Sequence, residues 1–232
     1  MVNLSAYIEY YQQWVEVHQK MWANTKRPEY EADFWYSLNR NKIALEMISH
    51  KWEDKKVLAL GAAFWVDAAL LDSVNALRVI RTDIVKSEGI KVLADACNLP
   101  FKDKSIGAIL CREVIEHVYM DADLMWEVSR VLEDGGYLYI MTPNGFNTPP
   151  DGKSHIRAYT PLLLLQTLER YGFTIVDKRG NVPNIHRSLI PGCVQGQTGF
   201  IEEFKILAEK YDALNDSYYF GSELFVLARK GE

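Results

Sequence analysis

Cysteine is scarce in this chain. The 232 residues include three cysteines, Cys97, Cys111 and Cys193. Three thiols cannot all pair, and none of them stands at metal-ligand spacing, so the sequence indicates neither a disulfide framework nor a metal cluster. We therefore expect a cytoplasmic protein whose cysteines are reduced and which has no metal site.

Long apolar runs and an excess of positive charge are also absent. The longest apolar run, Val57 to Val66, is about half the length of a membrane-spanning helix and is followed by Asp67. Residues 1–14 show no basic segment followed by an apolar core, so no signal peptide is evident. The net charge is -5, whereas a general nucleic-acid surface needs a basic stripe. We expect neither a membrane nor a nucleic acid as partner.

Three short apolar runs lie close together in the middle of the chain, at Ile90 to Ala94, Ile106 to Cys111 and Tyr137 to Met141. Each ends at polar or turn-forming residues, as strands buried in a parallel sheet do. A helix with apolar residues on one face is predicted between the second and third runs. Strand, helix and returning strand form a right-handed βαβ unit, which places the loops after the strands on one edge of the sheet.

Polar residues follow each of these strands. They are Asp95 after the first, Arg112 and Glu113 after the second, and Thr142 to Asn144 after the third. Ligands of open parallel sheets bind at the carboxyl edge, so these residues form the candidate site.

The segments DACNLPF (95–101), EVIEHV (113–118), LEDGGYL (132–138) and TPN (142–144) together resemble successive motifs of class I S-adenosylmethionine-dependent methyltransferases. The resemblance extends from about residue 56 to residue 173, and 224–229 fits the last strand of that family. It implies a Rossmann-like α/β fold, with a seven-stranded, mostly parallel sheet and helices on both faces. It also implies bound S-adenosylmethionine and transfer of its methyl group to a nucleophile.

The domain organisation follows from the flanking segments. Residues 1–50 are predicted to form an N-terminal helical cap, with helices over 1–25 and 32–50. Residues 51–232 are predicted to form the methyltransferase-like domain. The aromatic residues of the cap either pack on the domain or roof a binding site. Residues 180–221 are too long for a simple connection and are predicted to be an insertion that acts as a lid. Further strands are predicted at 56–60, 78–82, 174–178 and 224–229, and a further helix at 66–74. Another helix is predicted to have Thr160 as its N-cap, Pro161 as its first residue and Gly172 just past its end.

Two aspartates are predicted to bind the cofactor. Asp83 ends the second strand and is placed to accept hydrogen bonds from the ribose diol, as in dinucleotide-binding folds. Asp95 stands where the resemblance puts the residue that binds adenine; the alternative is that it only closes a turn. The full set of predicted cofactor-binding residues is Gly61, Ala62, Ala63, Asp83, Ile84, Asp95, Ala96, Cys111 and Arg112.

The first loop differs from the family pattern. Three alternating glycines are usual there, but only Gly61 remains, and Trp65 occupies the third glycine position. Glycines in such loops allow the ligand to approach the backbone closely. We predict that the Trp65 side chain is buried beside the loop and narrows the pocket.

The acceptor side is predicted from residues 154–160, which resemble a substrate-binding element that follows the fifth strand in relatives acting on small molecules and glycans. Methyl transfer to a hydroxyl needs a base, for which His155 is the first candidate and His117 the second. Arg157 and Tyr159 are predicted to contact the substrate. The resulting hypothesis is O-methylation of a small-molecule or sugar-like acceptor.

Two other functions were weighed against this hypothesis. A nicotinamide-dependent dehydrogenase would carry a G-x-G-x-x-G signature after the first strand, and the sequence has none. A non-catalytic binding or regulatory module remains open, because the altered loop is what relaxed selection on cofactor binding would leave. The sequence also leaves the oligomeric state undetermined.

Overall fold

The computed structural model describes residues 29–62, 70–71, 76–150, 152, 154–181 and 217–232. In the helix that begins at Glu29, side chains are described from Asn39 onward. The helices are α1 (Glu29–Ile48), α2 (Asp121–Val131), α3 (Pro161–Arg170) and α4 (Ser217–Phe220), with short 3-10 turns at Ser49–Lys51 and Ile115–His117. The strands are β1 (Lys56–Leu60), β2 (Arg78–Asp83), β3 (Val92–Leu93), β4 (Ile106–Arg112), β5 (Leu132–Pro143), β6 (Phe173–Gly180) and β7 (Glu223–Lys230).

The seven strands form one sheet in the order β3-β2-β1-β4-β5-β7-β6. All neighbouring pairs are parallel except those that β7 makes with β5 and β6. The predicted seven-stranded, mostly parallel sheet is therefore confirmed. The strand order reverses between β1 and β4, and such a switch point opens a crevice at the carboxyl edge.

Most predicted strands lie where the sequence pattern placed them, within one or two residues. The first of the three central runs shortens to Val92–Leu93, and β5 begins at Leu132, ahead of the predicted Tyr137. The early part of β5 contains Gly135 at φ 72°, and the pairing with β4 is irregular there before it becomes regular from Tyr137. The predicted strand, Tyr137 to Met141, therefore corresponds to the part of β5 that pairs regularly with β4.

The core lies on both faces of the sheet. On one face, α2 and α3 contribute Leu124, Val128 and Leu164 to a cluster with strand residues. On the other, the second half of α1 packs Ile43 and Met47 against the sheet. This confirms the predicted helices on both faces. Among the described residues, no helix combines the length and apolar character that crossing a membrane requires.

The helix predicted to start at Thr160 has the expected ends. Thr160 is the N-cap, and its hydroxyl accepts a hydrogen bond from the Leu163 amide at 3.3 Å. Pro161 is the first helical residue, and Gly172 follows the last turn at φ 85°. A proline without an amide hydrogen suits the first turn, and glycine tolerates the left-handed conformation past the last one.

Several predicted elements lie outside the described residues. These are the helix over 1–25, most of the crossover helix over 66–74, and nearly all of the 180–221 insertion with its predicted lid helix. The division into a cap (1–50) and a domain (51–232) stays a prediction.

Gly61 gives a stability prediction. It has φ 65°, and a Cβ placed there would lie 2.5 Å from Cγ2 of Val114. Gly172 also has positive φ, but nothing lies within 4 Å of its Cβ position. We expect Gly61→Ala to lower the free energy of unfolding by about 2–4 kcal/mol, against about 1–2 kcal/mol for Gly172→Ala, because only the first adds a steric clash to the backbone strain. Urea unfolding of the two variants measures this, and equal losses would contradict it.

Candidate functional site

A cavity of about 750 Å³ opens at the carboxyl ends of β1 to β4, where the strand order reverses. Its walls come from residues that end or directly follow these strands and from the turn that precedes α2, with one side chain from α1. The lining residues are Arg40, Gly61, Thr82, Asp83, Ile84, Ala94, Asp95, Ala96, Cys97, Arg112, Glu113, Val114, His117, Val118, Tyr119, Met120 and Asp123.

Asp83 and Asp95 lie on the β2–β3 side of the cavity. Oδ1 of Asp83 accepts a hydrogen bond from the Val85 amide at 2.8 Å, and Oδ1 of Asp95 accepts one from the Cys97 amide at 2.9 Å. Each aspartate thus closes its own turn, as the alternative interpretation of Asp95 stated. The same bond fixes each carboxylate at the cavity wall, so the turn-forming and ligand-binding roles are compatible.

A hydrogen bond to β2 fixes the backbone that follows β1 at the wall of the cavity. The Ala62 amide donates a hydrogen bond to the Thr82 carbonyl at 3.0 Å, and Gly61 lines the cavity with its left-handed backbone. Ala63 and Trp65 lie outside the described residues, so the burial of Trp65 stays a prediction.

Two residues that were predicted to bind ligand, Cys111 and Tyr159, do not line the cavity. The Cys111 side chain is fully buried in the apolar core under the sheet, because its position in β4 points it away from the cavity. Tyr159 is 1% exposed, and its hydroxyl donates to Asp121 at 2.5 Å. Burial and this bond raise the pKa of Tyr159. The geometry gives both side chains packing roles.

Arg157 shares the Asp121 carboxylate with this buried tyrosine. Its guanidinium pairs with the same Asp121 carboxylate at 3.2 Å and donates to the Tyr119 carbonyl. It therefore ties the loop that follows β5 to the start of α2.

A buried ionic network lies at the end of β4. Arg40 of α1 pairs with Glu113 at 2.5 Å and with Glu223 of β7 at 3.0 Å. Arg112 is 4% exposed and donates to the Asn41 side chain at 2.5 Å. Arg40 was missed by the sequence analysis, although three consecutive polar residues, 39–41, inside a helix with a buried face are a signal for such a role.

His117 and His155 meet beside the cavity. Their rings approach edge to face with centroids 4.9 Å apart, and His117 lines the cavity. Nδ1 of His117 lies 2.6 Å from the Ser154 carbonyl oxygen. A carbonyl only accepts hydrogen bonds, so Nδ1 carries the hydrogen and Nε2 of the neutral ring keeps a lone pair.

Glu116 is buried directly behind this histidine pair. It is 1% exposed, and one carboxylate oxygen accepts a hydrogen bond from Thr142 at 3.0 Å. Burial, together with the neighbouring Glu113 carboxylate, raises the pKa of Glu116 to about 9. A carboxyl group in this environment holds a proton, or requires a cation, at neutral pH.

Comparisons with known proteins agree with this geometry. A family model described as a methyltransferase domain matches residues 64–140. A probable S-adenosylmethionine-dependent methyltransferase of Mycolicibacterium smegmatis is 27% identical over 165 residues, which cover 65% of this chain and 63% of the relative. The chain thus spans less than two thirds of that relative's length.

Solved structures share the fold at low sequence identity. One of them is a Haloferax volcanii complex of the Trm112 methyltransferase activator with a methyltransferase. A chain of that complex superposes on this chain with a TM-score of 0.60 at 15% identity, over 91% of this chain and 97% of that one. A Burkholderia thailandensis 1,6-didemethyltoxoflavin-N1-methyltransferase, solved with its substrate and S-adenosylhomocysteine, gives 0.56 at 16% identity, over 95% and 90%.

The sheet topology and the position of the cavity are those of the α/β fold that the solved methyltransferase structures share. Residues 64–140 match a methyltransferase domain, and the chain is similar to S-adenosylmethionine-dependent methyltransferases, whose cofactor is S-adenosylmethionine.

The first site prediction concerns Asp83. Asp83→Asn keeps an oxygen that can accept from the Val85 amide but removes the negative charge that a ribose diol would contact. We expect it to weaken S-adenosylhomocysteine binding by roughly 1.5–3 kcal/mol, the usual contribution of a charge-assisted hydrogen bond. Isothermal titration calorimetry measures this. Asp177→Asn on β6, at the far edge of the sheet, is the matched control and should bind as the wild type does.

The second concerns Glu116 and pH. Because its pKa is raised to about 9 in the folded protein, the native chain holds a proton that the unfolded chain releases above about pH 4.5. The wild type should therefore lose stability as pH rises from about 5 to 9, whereas Glu116→Gln, which cannot ionise, should not show this loss. Urea unfolding in metal-free buffer at pH 5, 7 and 9 measures the difference between the two. A difference between the two proteins that stays constant with pH would contradict the assignment.

Proposed function

We propose that this protein is a cytoplasmic S-adenosylmethionine-dependent methyltransferase that methylates a hydroxyl group of a small-molecule or sugar-like acceptor. The observation that carries the proposal is the lining of the cavity. It combines the two aspartates that end or follow β2 and β3 with an imidazole in the largely apolar segment 114–120. Cys97 and Cys111 are both free thiols, in keeping with a reducing compartment.

The aspartate side fits S-adenosylmethionine. Asp83 would accept hydrogen bonds from the ribose diol and Asp95 from the adenine amine, while Gly61 would let the ligand approach the backbone of the first loop. With Glu113 and Asp123, the lining holds four carboxylates against the two guanidinium groups of Arg40 and Arg112. This excess of negative charge favours a ligand that carries a sulfonium.

The other side fits a small acceptor better than a nucleic acid. Val114, Val118, Tyr119 and Met120 form an apolar wall beside His117. The two arginines that line the cavity already contact partners, Arg40 with Glu113 and Arg112 with Asn41. An apolar wall with few polar groups is typical of small-molecule sites, whereas phosphates would demand unpaired basic residues. The Burkholderia relative, whose name states a small heterocyclic substrate, agrees with this interpretation.

The chemistry assigned to the histidine pair is activation of the acceptor. The acceptor oxygen would form a bond to the methyl carbon while the carbon–sulfur bond breaks and its electron pair stays on sulfur. The hydroxyl proton must leave the oxygen in the same process, so a basic group is needed beside it. His155 stays the first candidate, and its edge-to-face contact with His117, which lines the cavity, supports that role. Arg157 and Tyr159 hold the loop that carries His155.

The proposal is tested by turnover. Purified protein is incubated with isotopically labelled S-adenosylmethionine and a panel of hydroxylated metabolites, and transfer of label is measured. We expect His155→Ala to reduce turnover by roughly 100-fold or more, the usual contribution of a general base, while S-adenosylhomocysteine binding stays within about 3-fold of the wild type.

Three outcomes would oppose this function. Absence of S-adenosylhomocysteine binding by the wild type would favour the non-catalytic module. Transfer only to RNA or DNA would contradict the small acceptor. Activity that appears only with an added protein would contradict catalysis by this chain alone and would point to an activator, the kind of partner with which the Haloferax protein was solved.

A further inference from the structure

Three side chains of the types that bind metals converge at the acceptor side of the cavity. Glu116, His117 and His155 each offer one ligand atom, and these atoms all lie within 4.8 Å of one another. Glu116 and His117 are neighbours in sequence, whereas His155 comes from the loop after β5. Cysteine spacing, on which the sequence-based expectation of no metal site was founded, does not detect such a group.

Backbone hydrogen bonds hold these three residues close together. The Ile156 and Arg157 amides both donate to the Glu116 carbonyl, at 3.0 and 3.2 Å. His117 donates to the carbonyl of Ser154, the residue before His155. These three hydrogen bonds fix residues 154–157 against the 3-10 turn at Ile115–His117. The His155 ring, with its centroid 4.9 Å from that of His117, therefore lies beside the Glu116 carboxylate.

The hydrogen bonding of the His117 ring leaves one of its nitrogens able to bind a metal ion. Its Nδ1 hydrogen is engaged by a backbone carbonyl, so the lone pair of Nε2 faces Glu116, 3.8 Å from Oε1. Histidines that bind metals generally donate their second nitrogen to a carbonyl or carboxylate, which fixes the ring and raises its basicity. Two ligands of a tetrahedral ion with bonds of about 2.0–2.1 Å are roughly 3.4 Å apart, close to the observed separation.

Oε1 of Glu116 is an independent indication of a ligand. The carboxylate is 1% exposed, and within the described part of the chain this oxygen has no hydrogen-bond donor. A buried carboxylate oxygen without a donor is costly unless a cation or a proton compensates it. Glu113 lies close enough to share a proton with Glu116, which makes a shared proton the alternative to a metal ion.

We propose that Glu116, His117 and His155 bind one divalent transition-metal ion of the Zn²⁺ class, with its remaining coordination position open to the cavity. Two imidazoles and one carboxylate suit Zn²⁺ and its neighbours in the first transition row, whereas Mg²⁺ and Ca²⁺ prefer oxygen ligands. The ion would neutralise the buried carboxylate. His117 lines the cavity, so a molecule there could reach the open position.

The role of the ion rests on the proposed function, although its binding does not. The open position would hold the acceptor oxygen and lower the pKa of its hydroxyl, as metal ions do for bound water. The histidines would then activate the acceptor as ligands and not as free bases. Loss of activity in His155→Ala is expected in either case, so the decisive measurement is metal binding itself.

The test uses the full-length, tag-free protein after treatment with a chelator. Titration with Zn²⁺ by calorimetry and with Co²⁺ by visible absorption should show one ion per chain, with Co²⁺ bands that indicate imidazole ligands. Glu116→Gln and His155→Ala should each weaken binding at least 10-fold. His50→Ala is the control, since His50 is exposed beside Glu53 outside the site and should bind as the wild type does. Circular dichroism establishes that each variant is folded.

Several results would overturn the proposal. One is an absence of heat and of Co²⁺ bands in the wild type; another is binding that Glu116→Gln and His155→Ala leave unchanged. If no ion binds and the carboxyl band of Glu116 in infrared spectra titrates above pH 7, a proton shared with Glu113 occupies the site. S-adenosylhomocysteine binding is measured on the same samples. Its retention without metal binding refutes only the metal site, and metal binding without it refutes only the proposed function.

Discussion

The feature on which the rest of the site depends is the buried ionic network at the carboxyl end of β4. All seven residues of this central strand are buried, and its last residue, Arg112, is charged. The chain continues into Glu113 at φ 54°, a conformation that turns the backbone away from the sheet. Because burial penalises charge, these groups require partners, and α1 supplies them as Arg40 and Asn41.

This network makes α1 part of the site. Arg40 bridges Glu113 and Glu223, and burial raises the pKa of Glu223 while the nearby Arg40 opposes that shift. Without the arginine, two carboxylates would face each other in a buried region. The helix predicted as a cap therefore contributes to the cavity wall itself, and its second half packs on the sheet as core.

Two kinds of contact hold the residues in and beside the cavity. Asp83 and Asp95 close turns with amides two residues ahead of them, so short stretches of chain fix these carboxylates. The loop 154–157 is bound to residues 116 and 117, nearly 40 positions earlier. Local turn chemistry therefore fixes the two aspartates, whereas hydrogen bonds between distant segments fix the histidine pair.

The sequence by itself determined the sheet and the placement of Asp83, Asp95 and Gly61 at its carboxyl edge. Apolar runs ended by polar residues locate strands because a strand buried on both faces needs continuous apolar side chains, and parallel strands bring their following loops to one edge. Asp83, Asp95 and Gly61 could be found in this way. Only the tertiary structure decided that Arg40 lines the cavity, that Tyr159 and Cys111 pack inward, and that His155 reaches Glu116. Those placements depend on which way a side chain points and on contacts between distant segments, and the linear pattern fixes neither.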